Sequence, residues 1–119
     1  MNVININEKL EKFSDYFNPR IITELNGQHV KVGKFKGDFV WHSHKDEDEL
    51  FFVIKGKFFM DFRDKTVELN EGEMLLVPKG IEHKPRADEE VHVMLFEPAS
   101  TLNTGDVENE LTKKELEWI

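Results

Sequence analysis

The chain of 119 residues contains no cysteine. This absence excludes disulfide bonds, thiolate metal ligands and a cysteine nucleophile. Long apolar runs are also missing, since the longest, Leu50 to Ile54, is far shorter than the roughly 20 residues that span a bilayer. Basic residues are outnumbered by 24 to 16, and a net charge of −8 repels the phosphate backbone of nucleic acids. We therefore expect neither a membrane nor a nucleic acid as a partner.

The composition is that of a folded domain. Hydrophobic residues make up 39% of the chain and include ten phenylalanines, which is too apolar for a disordered protein. A chain of this length corresponds to one domain. The first residues are polar and include Glu8 and Glu11, which is not the pattern of a signal peptide, so we expect a cytoplasmic protein.

The two ends of the chain differ from its middle, and we predict a division into segments 1–19, 20–100 and 101–119. In the first segment, apolar residues at helical spacing predict a short amphipathic helix from about Asn5 to Phe17. The last segment is a tail in which Thr112–Ile119 forms either a second short helix or an irregular end.

The middle segment has the pattern of an all-β structure, because short runs of Val, Ile and Phe alternate with glycine-containing turns every 8–12 residues. Several runs carry apolar residues in both alternating sets of positions, which predicts that both faces of the sheet are covered. The inner cover would be the barrel interior, and the outer one a second sheet, the terminal helix or a partner subunit; on this basis we predict a homodimer. The predicted strands are Ile21–Leu25, Val30–Phe35, Phe39–Ser43, Glu49–Ile54, Phe58–Phe62, Thr66–Leu69, Met74–Val77, Glu82–Arg86 and Val91–Phe96.

A pair of histidines carries the first functional signal. His42 and His44 are two residues apart, so on a strand both imidazoles project from one face and could bind one divalent ion. Glu49 opens the next apolar strand, after a polar turn that can reset the alternation of side chains. A carboxylate that faces a Phe- and Val-rich interior is costly unless it is paired or bound to a metal. The intervening acidic residues 46–48 are interpreted as a solvated turn.

A third histidine follows a tight turn later in the chain. Pro78 and Gly80 favour that turn, and His83 comes early in the strand after it. Taken alone, this segment is equally compatible with a strand, a turn and a surface histidine.

These two segments resemble the two sequence motifs of the cupin superfamily. The first motif is matched by Gly37, His42, His44, Glu49 and Gly56, although one residue fewer than usual separates Gly37 from His42. The second motif is matched by a series in which Ala87 replaces the usual asparagine, namely Gly72, Pro78, Gly80, His83 and Ala87. Both motifs occur in order, about 15 residues apart.

The resemblance implies a double-stranded β-helix, or jelly-roll barrel, with a metal site inside. By matching motif positions, the metal ligands would be His42, His44, Glu49 and His83. Three neutral imidazoles and one carboxylate suit Fe, Mn, Zn, Ni or Cu, and octahedral coordination would leave two positions for other molecules. The resemblance does not select among these metals.

Other residues have weaker signals. Phe51, Phe59 and Met74 are candidates to line a pocket by strand alternation, or else to pack in the ordinary core. Four basic residues could contact an anionic substrate, or could simply be solvated: Lys55, Lys79, Lys84 and Arg86. The remaining candidates are His92 (a residue of the surface or the dimer interface, or a neighbour of the metal ligands), His29 (an exposed turn), Trp41 (outside the barrel) and Trp118 (docked on the barrel or on a partner).

Three functions remain open. The chain could be a metalloenzyme of dioxygenase, isomerase or cyclase type that acts on a small molecule, or a non-catalytic small-molecule or metal-binding module. A purely structural protein is disfavoured, because three buried imidazoles and a carboxylate without a metal would be costly. A deep cavity with a second acid or base beside the metal would favour catalysis, and a shallow or blocked one would favour binding.

Overall fold

The computed structural model describes the whole chain, Met1–Ile119, as an all-β jelly-roll barrel with one short helix. The strands pair antiparallel in the order β1–β2–β7–β3–β6, and β4 pairs with both β7 and β5. The single helix is too short to cross a membrane. The elements are α1 (Ile6–Leu10), β1 (Arg20–Leu25), β2 (Gln28–Asp38), β3 (Glu49–Lys55), β4 (Phe58–Phe62), β5 (Thr66–Leu69), β6 (Met74–Val77) and β7 (His83–Pro98).

Strand β7 pairs with three other strands, β2, β3 and β4. It was predicted as two strands, but its 16 residues form one continuous strand. Its first residues pair with β4, where His83 lies opposite Phe62, and its second half pairs with β2 and β3. The exposed acidic residues between the two halves remain extended, because β2 supplies hydrogen-bonding partners on both sides of them. The two ends of this strand therefore reach the same interior region, because His83 at its start and Glu97 near its end both lie beside Glu49.

The predicted strand Phe39–Ser43 is wrong. These residues form part of a loop after β2, in which the only ladder contact is an isolated antiparallel bridge between His42 and His83. The two residues exchange both backbone hydrogen bonds, at 3.0 and 2.9 Å. The β-branched and aromatic residues of this segment mimic a strand, but no neighbouring strand is available to pair along its whole length.

The inner face of the sheets forms the main core. Alternate residues of β3, β4 and β7 meet there, including Val53, Phe58, Met60 and Val93, which are all fully buried. Of the three predicted pocket residues, Phe51 faces this interior. Phe59 lies on the outer face, under the guanidinium of Arg86, and Met74 is exposed, so these two predictions are wrong. A two-residue repeat identifies two faces of a strand, and only the pairing of strands decides which is the inner one.

The terminal segments cover part of the outer face of the sheet. A terminal helix was one of the three outer covers that the sequence predicted. Leu10 and Phe13 pack on Ile22 and Val32 of the sheet. The helix is capped by Asn5, whose side chain accepts a hydrogen bond from the Glu8 amide, but it is shorter than predicted. Residues beyond it are irregular because the chain turns back towards the barrel, where Phe17 adopts a positive φ of 55°.

The C-terminal tail is irregular and not helical. Its last residues lie along β1, where Ile21 donates to the Glu117 carbonyl and accepts from the Ile119 amide. This contact satisfies backbone groups on an edge strand that would otherwise be free to pair with another chain.

Candidate metal centre

The structure brings all four predicted ligand residues together in the barrel interior. His42 and His44 come from the loop before β3, Glu49 is the first residue of β3, and His83 is the first residue of β7. Each is at most 4% exposed. One potential ligand atom from each residue lies within 4.8 Å of those from the other three, a spacing that a single metal ion can bridge.

Backbone contacts between loops hold these residues in place. The loop that carries His42 and His44 is joined to the turn before His83, because the Gly80 amide donates to the His44 carbonyl at 2.7 Å. The Lys79 amide donates to a carboxylate oxygen of Asp48 at 2.8 Å. Asp48 is therefore part of the loop framework, where the sequence predicted only a solvated turn.

The C-terminal tail fixes the other side of the same loop. Asp106 accepts a hydrogen bond from the Ser43 amide at 2.9 Å and donates its own amide to the Ser43 carbonyl at 3.0 Å. Gly105 lies so close that a Cβ atom there would be 2.2 Å from the Ser43 oxygen. Because Ser43 lies between His42 and His44, the tail helps to position both histidines.

Two imidazoles are oriented by hydrogen bonds to backbone carbonyls. Nδ1 of His42 donates to the Val40 carbonyl, and Nδ1 of His83 donates to the Ile81 carbonyl, each at 2.8 Å. A carbonyl can only accept, so Nδ1 carries the proton and Nε2 of each neutral ring keeps a lone pair. Such bonds commonly orient histidines that bind metals.

The remaining contacts fit a cation better than a hydrogen-bond network. Glu49 Oε1 lies 2.9 Å from His44 Nε2 and 3.2 Å from His83 Nε2. The angle of the His44 contact does not meet that of a hydrogen bond, so both ring nitrogens of this buried residue lack a hydrogen-bond partner. Ligand atoms at right angles and about 2.1 Å from one ion would be about 3 Å apart, close to the spacing observed here. The four residues therefore fit a divalent metal.

The electrostatics favour the protonation states that metal ligands require. Burial, helped by the nearby His83, lowers the pKa of His42 from 6.5 to about 4, so its ring is neutral at pH 7. Burial alone would raise the pKa of Glu49, but the imidazoles of His44 and His83 hold it well below its usual range. The site thus offers a neutral His42 imidazole and an ionised Glu49 carboxylate.

A narrow apolar cavity leads to these ligands. Its volume is about 40 Å³, which corresponds to about three water molecules at the usual allowance for each. His42 and Glu49 form part of its wall, and four aromatic rings form much of the rest: Phe17, Phe35, Phe39 and Phe51. Phe17 stacks on Phe35 and Phe39, which explains why the chain turns back after α1.

The sequence analysis missed a second carboxyl group in this cavity. Glu97 lies on the cavity wall, and its Oε1 accepts from Lys31 Nζ at 2.7 Å, with both side chains 3% exposed. Burial and the neighbouring Glu49 raise the pKa of Glu97 well above its usual range, although Lys31 opposes this. Glu97 continues the inward alternation of Val93 and Leu95, and this pattern could have revealed it.

The other predicted candidates lie away from the cavity. None of the four basic residues proposed for an anionic substrate lines it, and two of them, Lys84 and Arg86, are paired with Asp61. His92 faces outwards and pairs with Glu90 at 2.7 Å. None of the four basic residues therefore supports an anion site at this cavity.

Three aromatic candidates also lie outside the site. His29 was predicted to be in an exposed turn, but it is half-buried on β2, 2.9 Å from Glu24 and against the edge of Trp118. Trp118 therefore contacts the barrel of its own chain at one edge and remains 56% exposed. Trp41 lies under the guanidinium of Arg63, at 3.8 Å from the ring centre.

A family model described as a cupin domain (Cupin_2) matches residues 23–97. The chain belongs to the cupin family. A cupin-2 domain protein from Shewanella frigidimarina has 47% identity and a TM-score of 0.80, over 81% of this cupin and 94% of that chain. An uncharacterized protein, YdbB, of Bacillus subtilis is 40% identical over 68% of this cupin and 69% of its own length. An acireductone dioxygenase of Yarrowia lipolytica is 34% identical over 59% of this cupin, which corresponds to 44% of that enzyme.

Proposed function

We propose that this cupin binds one divalent transition metal, Fe, Mn, Zn, Ni or Cu, through His42, His44, Glu49 and His83, and that it is a metalloenzyme acting on a small molecule. The observation that carries the proposal is the convergence of three buried imidazoles on one buried carboxylate. The unpartnered nitrogens of His44 support it, because buried polar atoms without partners are rare and costly in native proteins.

The chain's own residues prepare the site for chemistry at a metal. The backbone bonds to His42 and His83 fix which nitrogen faces the centre, so little reorganisation is needed on metal binding. The aromatic walls limit the access of water to the site. A bound metal would supply either Lewis-acid polarisation of an oxygen or a redox centre, with coordination positions left for substrate.

Glu97 favours an enzyme over a simple binding module. It is the second carboxyl group in the cavity, and such a group beside the ligands was the feature expected of a catalytic site. The partial similarity to an acireductone dioxygenase supports an oxygenase type of reaction within the set of dioxygenase, isomerase and cyclase. The small volume of the cavity favours the alternative, a non-catalytic small-molecule or metal-binding module.

A homodimer remains part of the proposal. Met74 and Leu76 on β6 are 60% and 55% exposed, on an edge strand that no other part of the chain covers. A second copy that covers this apolar edge would remove both exposed side chains from water. Light scattering after size-exclusion chromatography measures the mass directly, and a monomer at micromolar concentration would contradict this part of the proposal.

Elemental analysis of protein purified without a histidine tag tests the metal. We compare the wild type with His42→Ala and with His29→Ala, which removes an imidazole outside the site. Near-stoichiometric Fe or Mn that is lost only in His42→Ala would favour oxygen-dependent chemistry. Zn or Ni lost in the same way would support the site but leave the reaction type open. Wild-type protein that takes up no metal after reconstitution would contradict the metalloenzyme proposal.

A further inference from the structure

The Glu97 carboxyl group lies between a lysine and one of the predicted metal ligands. Its Oε1 accepts from Lys31 Nζ at 2.7 Å, and the group also lies within hydrogen-bonding range of the Glu49 carboxyl. All three side chains are at most 5% exposed. They come from β2, β7 and β3, so only the pairing of these strands brings them together. Lys31, Glu97 and Glu49 therefore form one buried series of polar contacts that ends at the metal centre.

The hydrogen bond between the two carboxyl groups runs from Glu97 to Glu49. Two carboxyl groups can bond to each other only when one of them carries a proton, because an ionised carboxylate can only accept. Oε1 of Glu97 accepts from Lys31, whereas Oε2 receives no hydrogen bond from any protein donor. An oxygen that donates a hydrogen bond needs no donor of its own, so Oε2 is the atom that holds the Glu49 carboxylate.

This contact restricts how the Glu49 side chain can turn. Oε1 of Glu49 lies 2.9 Å from His44 Nε2 and 3.2 Å from His83 Nε2, so this oxygen faces the centre. A carboxylate that turned to offer a metal both of its oxygens would give up its contact with Glu97, whose Oε2 would then be buried without a partner. Glu97 cannot follow such a movement, because Lys31 holds its other oxygen.

We propose that Glu97, held by Lys31, is a positioning residue that fixes the Glu49 carboxylate and limits it to one oxygen as a metal ligand. The inference rests on the proposed function, since it concerns the coordination of the same metal. Three imidazoles and one carboxylate oxygen leave an octahedral ion two positions for other molecules, and a second oxygen of Glu49 would occupy one of them. Glu97 thus keeps open a position at which a small molecule can bind.

Two variants separate positioning from simple packing, with metal affinity measured by calorimetric titration with Mn²⁺. In Glu97→Gln the amide oxygen still accepts from Lys31 and the amide nitrogen donates to Glu49, so we expect binding less than about 10-fold weaker than in the wild type. In Lys31→Met/Glu97→Met no unpaired charge remains, but Glu49 loses its donor, so we expect a loss of about 10- to 100-fold. The matched control is Lys57→Met/Glu68→Met, an exposed pair at 3.7 Å, which should bind as the wild type does. Equal affinities in the wild type and the Lys31/Glu97 variant would overturn the inference.

A second readout counts the positions left open on the metal, which a merely structural role would not change. Water bound directly to Mn²⁺ speeds the relaxation of bulk water protons in proportion to the number of exchanging water molecules. At saturating protein, Glu97→Gln should match the wild type. The Lys31→Met/Glu97→Met variant should show about half of the inner-sphere effect, because a Glu49 bound through both oxygens leaves one open position instead of two. An unchanged effect in this variant would contradict the positioning role.

A measurement on the wild type does not depend on whether the double variant folds. In a crystal structure of the protein loaded with whichever of the five metals it retains, we expect one Glu49 oxygen on the metal and Glu97 at about 2.5–3.0 Å from the Glu49 carboxylate. Glu49 bound through both oxygens, or Glu97 itself bound to the metal, would overturn this inference and leave the proposed function intact. Protein that binds none of the five metals contradicts the proposed function instead.

Discussion

Removal of His83 should abolish most of the stabilisation that a metal gives to this cupin. His83 is 1% exposed and lies 3.2 Å from Glu49 through the nitrogen that faces the centre. Loss of a residue that only supports a ligand costs 10–100-fold in metal affinity, so loss of a direct ligand should cost at least about 100-fold. We therefore expect His83→Ala to bind metal at least about 100-fold more weakly.

This difference can be measured as a shift in melting temperature. At a metal concentration 100 times the wild-type Kd, binding stabilises the folded state by about 2.7 kcal/mol. For a domain of this size, that corresponds to a rise in Tm of about 10 °C. At the same concentration, a variant with 100-fold weaker binding gains only about 0.4 kcal/mol, or about 2 °C.

The assay is differential scanning fluorimetry with and without added Zn²⁺ or Mn²⁺. The quantity compared is the metal-induced shift, because removal of a buried imidazole also changes the stability of the metal-free protein. The control is His92→Ala, which removes an outward-facing imidazole from the same strand and should keep the full shift. Equal metal-induced shifts in wild type, His83→Ala and His92→Ala would refute the assignment of His83 as a ligand.

Three further predictions concern the surroundings of the centre. The pKa of His42 is about 4 in the folded protein and 6.5 in the unfolded chain, so the unfolded state binds more protons between these two pH values. The free energy of unfolding of the metal-free protein should therefore fall by about 2 kcal/mol from pH 7 to pH 5. Urea titrations should show a smaller loss in His42→Gln, and an equal loss would contradict the shift. Gly105→Ala should weaken metal binding measured by calorimetry, because the added Cβ would displace the tail from the loop that carries Ser43. The control is Gly72→Ala, which also has a positive φ but lies in open space and should bind metal normally. Lys31→Met alone should cost about 3–5 kcal/mol in urea unfolding and Lys31→Met/Glu97→Met much less; equal losses would show that the pair is not coupled.

The fold class followed from the sequence because its signal is local. Short apolar runs between glycine-containing turns predict strands at any position, and eight of the nine predicted runs overlap the seven strands of the barrel. The prediction failed where pairing decides the outcome. Phe39–Ser43 has strand-like residues but no partner along its length, and Glu82–Arg86 continues into Val91–Phe96 because β2 pairs with both.

The grouping of His42, His44, Glu49 and His83 was also predictable, because the two segments that contain them resemble the two cupin motifs. The face of the sheet that each side chain occupies was less predictable from the sequence. Phe59 and Met74 obey a two-residue repeat but lie on the outer face. A repeat defines two faces, and only the closure of the barrel selects the inner one.

The all-β fold and the four residues that converge in its interior could be read from the chain, since both depend on patterns within short segments. Tertiary structure alone decided the surroundings of that centre. Glu97 and Lys31 are 66 residues apart in the chain and meet only because β2 and β7 are paired. Phe17 from the first segment and Leu116 from the tail reach the same cavity because the barrel brings both ends of the chain to it. Contacts between distant segments depend on how the strands pair and close, and no local pattern encodes them.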